Sequence, residues 1–548
     1  MTLLRASKHR NAIGPLLRKA KAFRDLRIAA RDLDHLIALE KLTQDADLLL
    51  PKGAFRGLST GFEEESKKVL VQTLFAETRA GRTWSDMMAQ VGGLDQKLVT
   101  PVPAGWRREF EQLGFKVDHF RSVLAFALLH MRSFARAGAK LRRYLHKAIA
   151  AKAPAPQESF AVFCGVRPCC LPEASIPPSN RWDWISWYRR SPVFDARIKE
   201  IWAVIDEPHH GKDLKGVRPV EHPLPDLASK GEWLAFFLEA AARSAWAAVR
   251  WPFGAWWAPL VLPQVIDLCY SRRVRRENLP LHVMFSSVLK TIRPLWTYDL
   301  ERRATRVMMF LYSMNNAAFA PRSPQVRFSD PDLCNVSWPE YIVWGEPHIA
   351  MLKRIGVRHG TFTTVGAIGF ADDAAGDLQQ LPGNCVAVFD VEAQRDVDLA
   401  LQGMPRPYWD HETSFHFVER AFAAIRAQGA TPVYKPKGYL DGKLIRPKAR
   451  AFRELVERYG AILVDGYINP NRVIPKVNAV VSMPFTSTGA AALVFNRPSA
   501  YFDPTATLAP YEMFACGIPL LLSQEDLARW LGGVLTGQAG PELRQSVR

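Results

Sequence analysis

Apolar positions along this chain follow two rhythms. Up to about residue 150 they recur every three or four places among Lys and Arg. The run FRSVLAFALLHMRSFARAGAKLRRYLHKAIA from Phe120 shows this, and it predicts basic amphipathic helices. After AAKAPAPQE (150–158), an Ala/Pro stretch that reads as a linker, the apolar residues gather into short unbroken runs closed by turn residues. SFAVFCGVRP (159–168), IKEIWAVIDEP (198–208), VMMFLYSMNN (307–316) and EYIVWGEPH (340–348) are buried strands on this pattern. The last leads into the helical run IAMLKRIGV.

A second soft boundary lies at FADDAAGDLQQLPGN (370–384), which is acidic and poor in large apolar residues. Beyond it strand and helix alternate more cleanly. CVAVFDVEA (385–393), ATPVYKPKG, AILVDG, NAVVSM and PSAYFD read as strands. ETSFHFVERAFAAIRAQG (412–429) and ARAFRELVERYG (449–460) read as helices closed by glycine, and GAAALVFN as a helix after a hydroxyl-rich turn. The fold class is therefore α/β. A basic α-helical region (1–150) precedes a first Rossmann-like domain with a Trp-rich insertion (155–375) and a second Rossmann-like domain (384–530). Ligands of such sheets collect at the C-terminal strand ends.

Composition narrows the partners. The 548 residues exceed one ordinary core, and the net charge of +18 favours an anionic partner without choosing among nucleic acid, anionic lipid and phosphorylated substrates. Seven scattered cysteines, an odd number, argue against a closed disulfide framework and for a reducing, cytoplasmic compartment. The N-terminus lacks a continuous apolar stretch of signal type. The nearest approach to a membrane span, LAFFLEAAARSAWAAVRWPFGAWWAPLVLP (234–263), is interrupted by Glu239, Arg243, Arg250 and Pro252. Its Trp246, Trp251, Trp256 and Trp257 suit either an interfacial membrane segment or a Trp-rich core or hinge. GxGxxG after a strand, the Walker loop, HExxH and GxSxG are all missing, and no nucleic-acid module is recognisable, so nucleic acid is not an expected partner.

Four constellations carry chemistry. In SMPFTSTGAAAL, Ser482, Thr486, Ser487 and Thr488 stand at a strand-to-helix junction, where unpaired amides and the positive end of the helix dipole seat a phosphate. Gly489 and Ala490 would let an anion approach the backbone, and a bare Ser/Thr N-cap is the competing reading. Lys435 and Lys437 in YKPKG follow a buried strand and can neutralise a diphosphate, or stand as solvated turn lysines. Asp390 and Glu392 end the strand CVAVF, to grip ribose hydroxyls, order the loop or cap it. Glu346 and His348 in WGEPH offer a general base for a sugar hydroxyl, with His359 in GVRHG as a competitor. A buried His paired with a carboxylate is the plain alternative. Asn315 and Asn316 in SMNN are candidate contacts for acceptor hydroxyls.

The order FDV, YKPKG, VDG and VVSMPFTSTGAAALVFNRPSAYFD resembles bacterial GT-B glycosyltransferases of surface and capsular polysaccharide synthesis. FLYSMNN, WPEYIVWGEPH and LKRIGV are similar to the first half of the same proteins, and the likeness runs over residues 155–510. In related capsule, Kdo and sialic-acid transferases a Ser/Thr motif and a basic or His-Pro element hold the donor. These fall on Thr486, Ser487 and Thr488 and on Lys435-Pro436, where lysine replaces histidine, so a CMP-sugar is not implied. The resemblance implies two Rossmann-like domains facing a cleft and transfer without a metal or a cofactor, the nucleotide sugar being a co-substrate. Asp390, Glu392, Lys435, Lys437, Ser482 and the three hydroxyl residues would hold the donor. Glu346 or His348 would activate a growing or lipid-linked glycan acceptor. The basic and Trp-rich first half would sit against the anionic inner membrane. A different class, a non-catalytic GT-B-like assembly protein recruited to membrane or partners by its basic N-terminus, fits the same residues.

Overall fold

The short apolar runs pair edge to edge into two wholly parallel sheets. The computed structural model describes residues 50–537, except 91–94, 151–157, 173–183, 206–215, 314–335, 369–377, 392–410, 438–445, 509–516 and a few smaller gaps. The first sheet holds β1 (Phe160–Val166), β2 (Glu200–Ile205), β3 (Val217–Val220), β4 (His282–Ser286), β5 (Arg306–Phe310), β6 (Glu340–Val343) and β7 (Thr361–Thr364), in the order β3-β2-β1-β4-β5-β6-β7. The second holds β8 (Cys385–Phe389), β9 (Thr431–Lys435), β10 (Ile462–Leu463), β11 (Ala479–Ser482), β12 (Ser499–Phe502) and β13 (Leu520–Leu521), in the order β10-β9-β8-β11-β12-β13. In each sheet the chain runs outward to one edge, then returns to the centre and runs to the other. The reversals fall between β1 and β4 and between β8 and β11. The strands at these reversals are buried throughout, which is why they read as unbroken apolar runs rather than alternating ones.

Residues 50–150 supply α1 (Glu63–Arg79), α2 (Ala104–Gln112) and the long α3 (His119–Ala150). α4 (Trp184–Arg190) follows β1. The Trp-rich stretch forms two helices, α5 (Lys230–Arg250) and α6 (Trp257–Ser271), and α3 and α5 both pack on α6. α7 (Trp296–Arg302) and α8 (Glu346–Arg354) complete the first half. α9 (His411–Ala427), α10 (Arg446–Arg458), α11 (Pro470–Val473), α12 (Ser487–Val494) and α13 (Gln524–Leu535) belong to the second.

The tryptophans resolve in favour of core over membrane interface. Trp257 is buried and its indole N–H donates to Ala54 O at 3.0 Å. Trp246 lies over Gly57, where a Cβ would collide with the indole. Trp251 packs on His130 and Phe134 of α3, with ring centroids 5.5 and 5.6 Å away. Trp257 is the fully buried one, worth roughly 1.5–3 kcal/mol, while Trp246, Trp251 and Trp256 are half-buried. Two of the charges that interrupt the run also turn inward, since Glu239 lies within ion-pair reach of Arg243, Arg272 and Arg273, while Arg250 stays exposed over the Trp246 ring. Among the described residues, no helix is long and apolar enough to cross a membrane.

Candidate functional site

Strand register builds the site. Lys435 is paired with Phe389, and Phe389 with Ser482, so β9, β8 and β11 end flush at the reversal of the second sheet. Neighbouring strands lie about 4.8 Å apart, which puts the Lys435 and Ser482 backbones about 10 Å from one another across the crevice. The strand expected over 385–393 stops at Phe389, where its neighbours also stop.

Beyond Ser482 the chain turns into α12, which starts at Ser487, two residues before the expected GAAALVFN helix. Thr486 is the N-cap, with extended backbone (φ −88°, ψ 154°), yet its side chain makes no capping bond. Its hydroxyl donates to Met483 O (2.9 Å) and lies 3.2 Å from Thr488 Oγ1, which is 3.0 Å from Ser482 Oγ. Three hydroxyls therefore fix one another at the helix mouth instead of covering its amides, the arrangement a bare N-cap does not give. Gly489 has a different reason from the expected one. It is buried against Tyr501, and a Cβ there would stand 2.8 Å from the ring Cζ, so the glycine makes room for a neighbour in the sheet rather than for an anion. Tyr501, in register with Ser482, also donates its hydroxyl to Thr486 O at 3.1 Å.

On the other side of β8, the half-buried Asp390 accepts from the Tyr434 hydroxyl and, at 2.7 Å, from Lys437 N–H. Of the roles open to Asp390 in the sequence, the contacts select loop ordering: both carboxylate oxygens hold β9 and its exit. Burial raises this carboxyl to about 6, against the pull of those two donors. Lys435 is buried and donates to Gly466 O at 2.7 Å, and burial brings its ammonium down to about 8. Lys437 is exposed at the rim. The two lysines thus divide into an inward cation and an outer one, not a pair of solvated turn residues. Glu392 lies outside the described residues.

The first sheet meets this crevice through Ser313, which follows β5. Its hydroxyl oxygen is 2.9 Å from Ser487 Oγ. β5 and β6 are parallel and in register, so Glu346 and His348, in the first turn of α8 rather than at a strand end, belong to the same edge as Ser313. Glu346 is exposed. His348 is 1% exposed, and its Nδ1 accepts the Trp344 N–H (3.2 Å). Burial pushes the imidazole down to about 3, with the adjacent Ser313 backbone pulling the other way. A neutral, enclosed ring supports the Ser313 turn and is not placed as a base open to an acceptor, which corrects that expectation. His359 precedes β7 and so stands at the opposite, N-terminal edge of the sheet, which removes it as a competing base. Asn315 and Asn316 lie outside the described residues.

The sequence profile of the polysaccharide biosynthesis PFTS motif proteins matches residues 242–531, more than half of the chain. The chain belongs to this family. In this PFTS motif protein, the sequence Pro484-Phe485-Thr486-Ser487 spells the name-giving motif, and its Thr486 and Ser487 open α12. No curated protein matches the sequence. Similar solved structures include the pneumococcal O-GlcNAc transferase GtfA in complex with UDP and GlcNAc, at 10% identity and a TM-score of 0.30. That match covers 51% of this chain and 55% of the other, about half its length. A Thermobaculum terrenum O-GlcNAc transferase mutant matches at 10% identity over 94% of this chain and 93% of that one, with a TM-score of 0.33. A glycosyltransferase from Rickettsia africae ESF-5 matches at 8% over 71% and 91%, with a TM-score of 0.35. Scores this low carry no inference about the site of the PFTS motif protein, which rests on its own residues.

Ser313, Tyr434 and Tyr501 are the contributors that sequence reasoning passed over. Ser313 stands beside the Asn pair in SMNN. The two tyrosines sit inside apolar strands, where only the register reveals what their hydroxyls reach.

Proposed function

We propose that this PFTS motif protein is a metal-independent GT-B glycosyltransferase, moving a sugar from a nucleotide-sugar donor onto a growing or lipid-linked surface polysaccharide at the cytoplasmic face of the inner membrane. The observation that carries the reading is the flush ending of β9, β8 and β11, which sets Lys435 and the uncapped mouth of α12 around one crevice at the sheet's reversal. Donor phosphate sits on the α12 amides with Ser487 and Thr488, and Lys435 and Lys437 meet its charge. Asp390 keeps the lysine-bearing loop in place. The acceptor hydroxyl attacks the anomeric carbon as the bond to the phosphate oxygen breaks. Its proton passes to the exposed Glu346, and the leaving nucleotide's new charge falls on the lysines and the helix mouth. Asn315 and Asn316 contact acceptor hydroxyls, and Glu392 contacts the donor, in this reading.

Calorimetry of the full chain against a panel of nucleotides and nucleotide sugars tests it. At least one is expected to bind, and the Ser487→Ala/Thr488→Ala pair is expected to weaken it about tenfold or more. Wild-type affinity in that variant would reduce the motif to a helix start. Binding without transfer to any glycan acceptor would favour the non-catalytic assembly role.

A further inference from the structure

α3 and α5 form the outer layer over α6, and both are apolar on the side away from it. The inward face of α3 holds Ser122, Leu129, His130, Ser133, Ala137 and Tyr144. Its outward face holds Phe120, Val123, Leu124, Leu128 and Met131, between 41% and 82% exposed, and further along Leu145 and Ile149. A helix that is apolar on both faces has a second surface to cover. On α5, Leu234, Leu238 and Val249 are exposed with alanines between them, while Glu232 and Glu239 turn inward to Arg275 and Arg273. The turn after α5 projects Phe253 at 81% exposure, and the neighbouring Trp251 ties that turn to α3.

This outward face is fixed. Lys140 and Tyr144 of α3 both bond Asp267 of α6, and Lys147 pairs with Asp226 at 2.8 Å. Rolling α3 to hide its leucines would break that part-buried set of bonds. Charge then selects the occupant. α3 contains no acidic residue, and Arg132, Arg142 and Arg143 are exposed along it. A second copy of the chain would bring the same cations against themselves, and the segment before residue 50, with ten Lys and Arg against six Asp and Glu, is also net basic. Hydrocarbon side chains beside unopposed cations match the acyl boundary and phosphate layer of an anionic bilayer.

We propose that the α3–α5 face, with Phe120 and Phe253 inserted, docks this protein on an anionic lipid bilayer. The purpose of that docking, bringing a lipid-linked acceptor to the donor crevice, rests on the transferase reading, but the contact itself does not. The contact is made by Leu, Phe, Val and Met, while the tryptophans of the same region serve the core.

Co-sedimentation of the full chain with vesicles of phosphatidylcholine, with and without phosphatidylglycerol, tests the contact. Binding is expected to the anionic vesicles and to fall with salt. Leu124→Asp/Leu128→Asp and Phe253→Asp should each weaken it about tenfold or more, and Arg142→Ala/Arg143→Ala also about tenfold or more, at about fivefold per cation. Leu463→Asp, at the 39% exposed Leu463 on β10, should bind as wild type. No binding by the wild-type chain, or full binding by the aspartate variants, overturns the proposal. Without vesicle binding, self-association lost in Leu124→Asp/Leu128→Asp would assign the face to a second copy. A melting temperature lowered in that variant, again without vesicle binding, would assign it to residues 1–49. Both results overturn the bilayer. Nucleotide calorimetry on the same samples is an independent readout: lost nucleotide binding with vesicle binding intact counts against the transferase reading alone.

Discussion

Ser313, just beyond β5, and Ser487, the serine of the PFTS motif, touch through their hydroxyls at 2.9 Å, joining the C-terminal edges of the two sheets at one point. A neutral hydrogen bond of this kind contributes about 1 kcal/mol net. A double-mutant cycle with Ser313→Ala and Ser487→Ala, followed by urea unfolding, should give a coupling of about 0.5–1 kcal/mol. Strictly additive effects would mean that the contact contributes nothing to holding the sheets together.

Lys435 should make donor affinity depend on alkaline pH. Burial lowers its ammonium to about 8, so the charge available to a donor phosphate is present at pH 7 and disappears as pH rises past that value. Affinity measured by calorimetry from pH 7 to 9.5 should fall through this window. Lys435→Met should bind about tenfold or more weakly at pH 7 and show no such fall. A parallel decline in both proteins would place the titrating group elsewhere.

Gly489→Ala should destabilise the second domain by about 1–3 kcal/mol, the usual cost of overpacking, since the added methyl meets the Tyr501 ring. Tyr501→Phe should not restore it, because the closest collisions are with the ring carbons, which the phenylalanine keeps, and only then with the hydroxyl. Denaturant midpoints of the single and double variants decide this, and a stable Gly489→Ala would sink the packing explanation.

Acid should loosen the first domain. Burial is the main cause that lowers His348 to about 3 and His130 and His282 to about 4. Arg306 also lowers His282, while Asp195 and Glu340 beside it pull the other way. Each folded value lies below the ordinary 6.5, so the stability these neutral rings support is intact above pH 6.5 and drains away as pH falls toward 4 and below. The expected slope is about 1 kcal/mol per pH unit for each histidine. Asp390, whose folded value is raised, works the opposite way between about 6 and 4, but it lies in the second domain, and His222, also lowered by burial, adds to the three histidines named. Melting temperature against pH checks the trend, and His348→Gln should flatten it.

The sheets were legible because parallel strands buried on both faces leave unbroken apolar runs, as CVAVF and AVVS do. The PFTS turn and the YKPKG lysines stood out in the sequence because small hydroxyls and cations directly follow such runs, but a plain cap and solvated turn lysines read the same there, and only the hydrogen bonds separate them. The burial of His348 was one of two readings open in the sequence: a Glu-Pro-His sequence reads the same whether the helix begins before or after it, and the helix begins at Glu346. The inward packing of the tryptophans was likewise one of two readings, and its partners, Gly57 and Ala54, lie too far away in the chain for the sequence to show them. Gly489 had a sound local explanation that was the wrong one, because its neighbour Tyr501 comes from the next strand.

The reversal of the second sheet also has a consequence for how the protein matures. β8 and β11 are adjacent in the sheet, yet β9, β10 and the helices around them lie between them in the chain. The lysine side of the crevice can form from consecutive elements, whereas the hydroxyl side must close a long loop onto a preformed edge, a slow step in any chain. During synthesis the crevice therefore exists only after α12 has emerged and β11 has docked. A donor supplied early would find nothing to bind, and a donor present once β11 has docked would act as a pharmacological chaperone for that long-range step of folding.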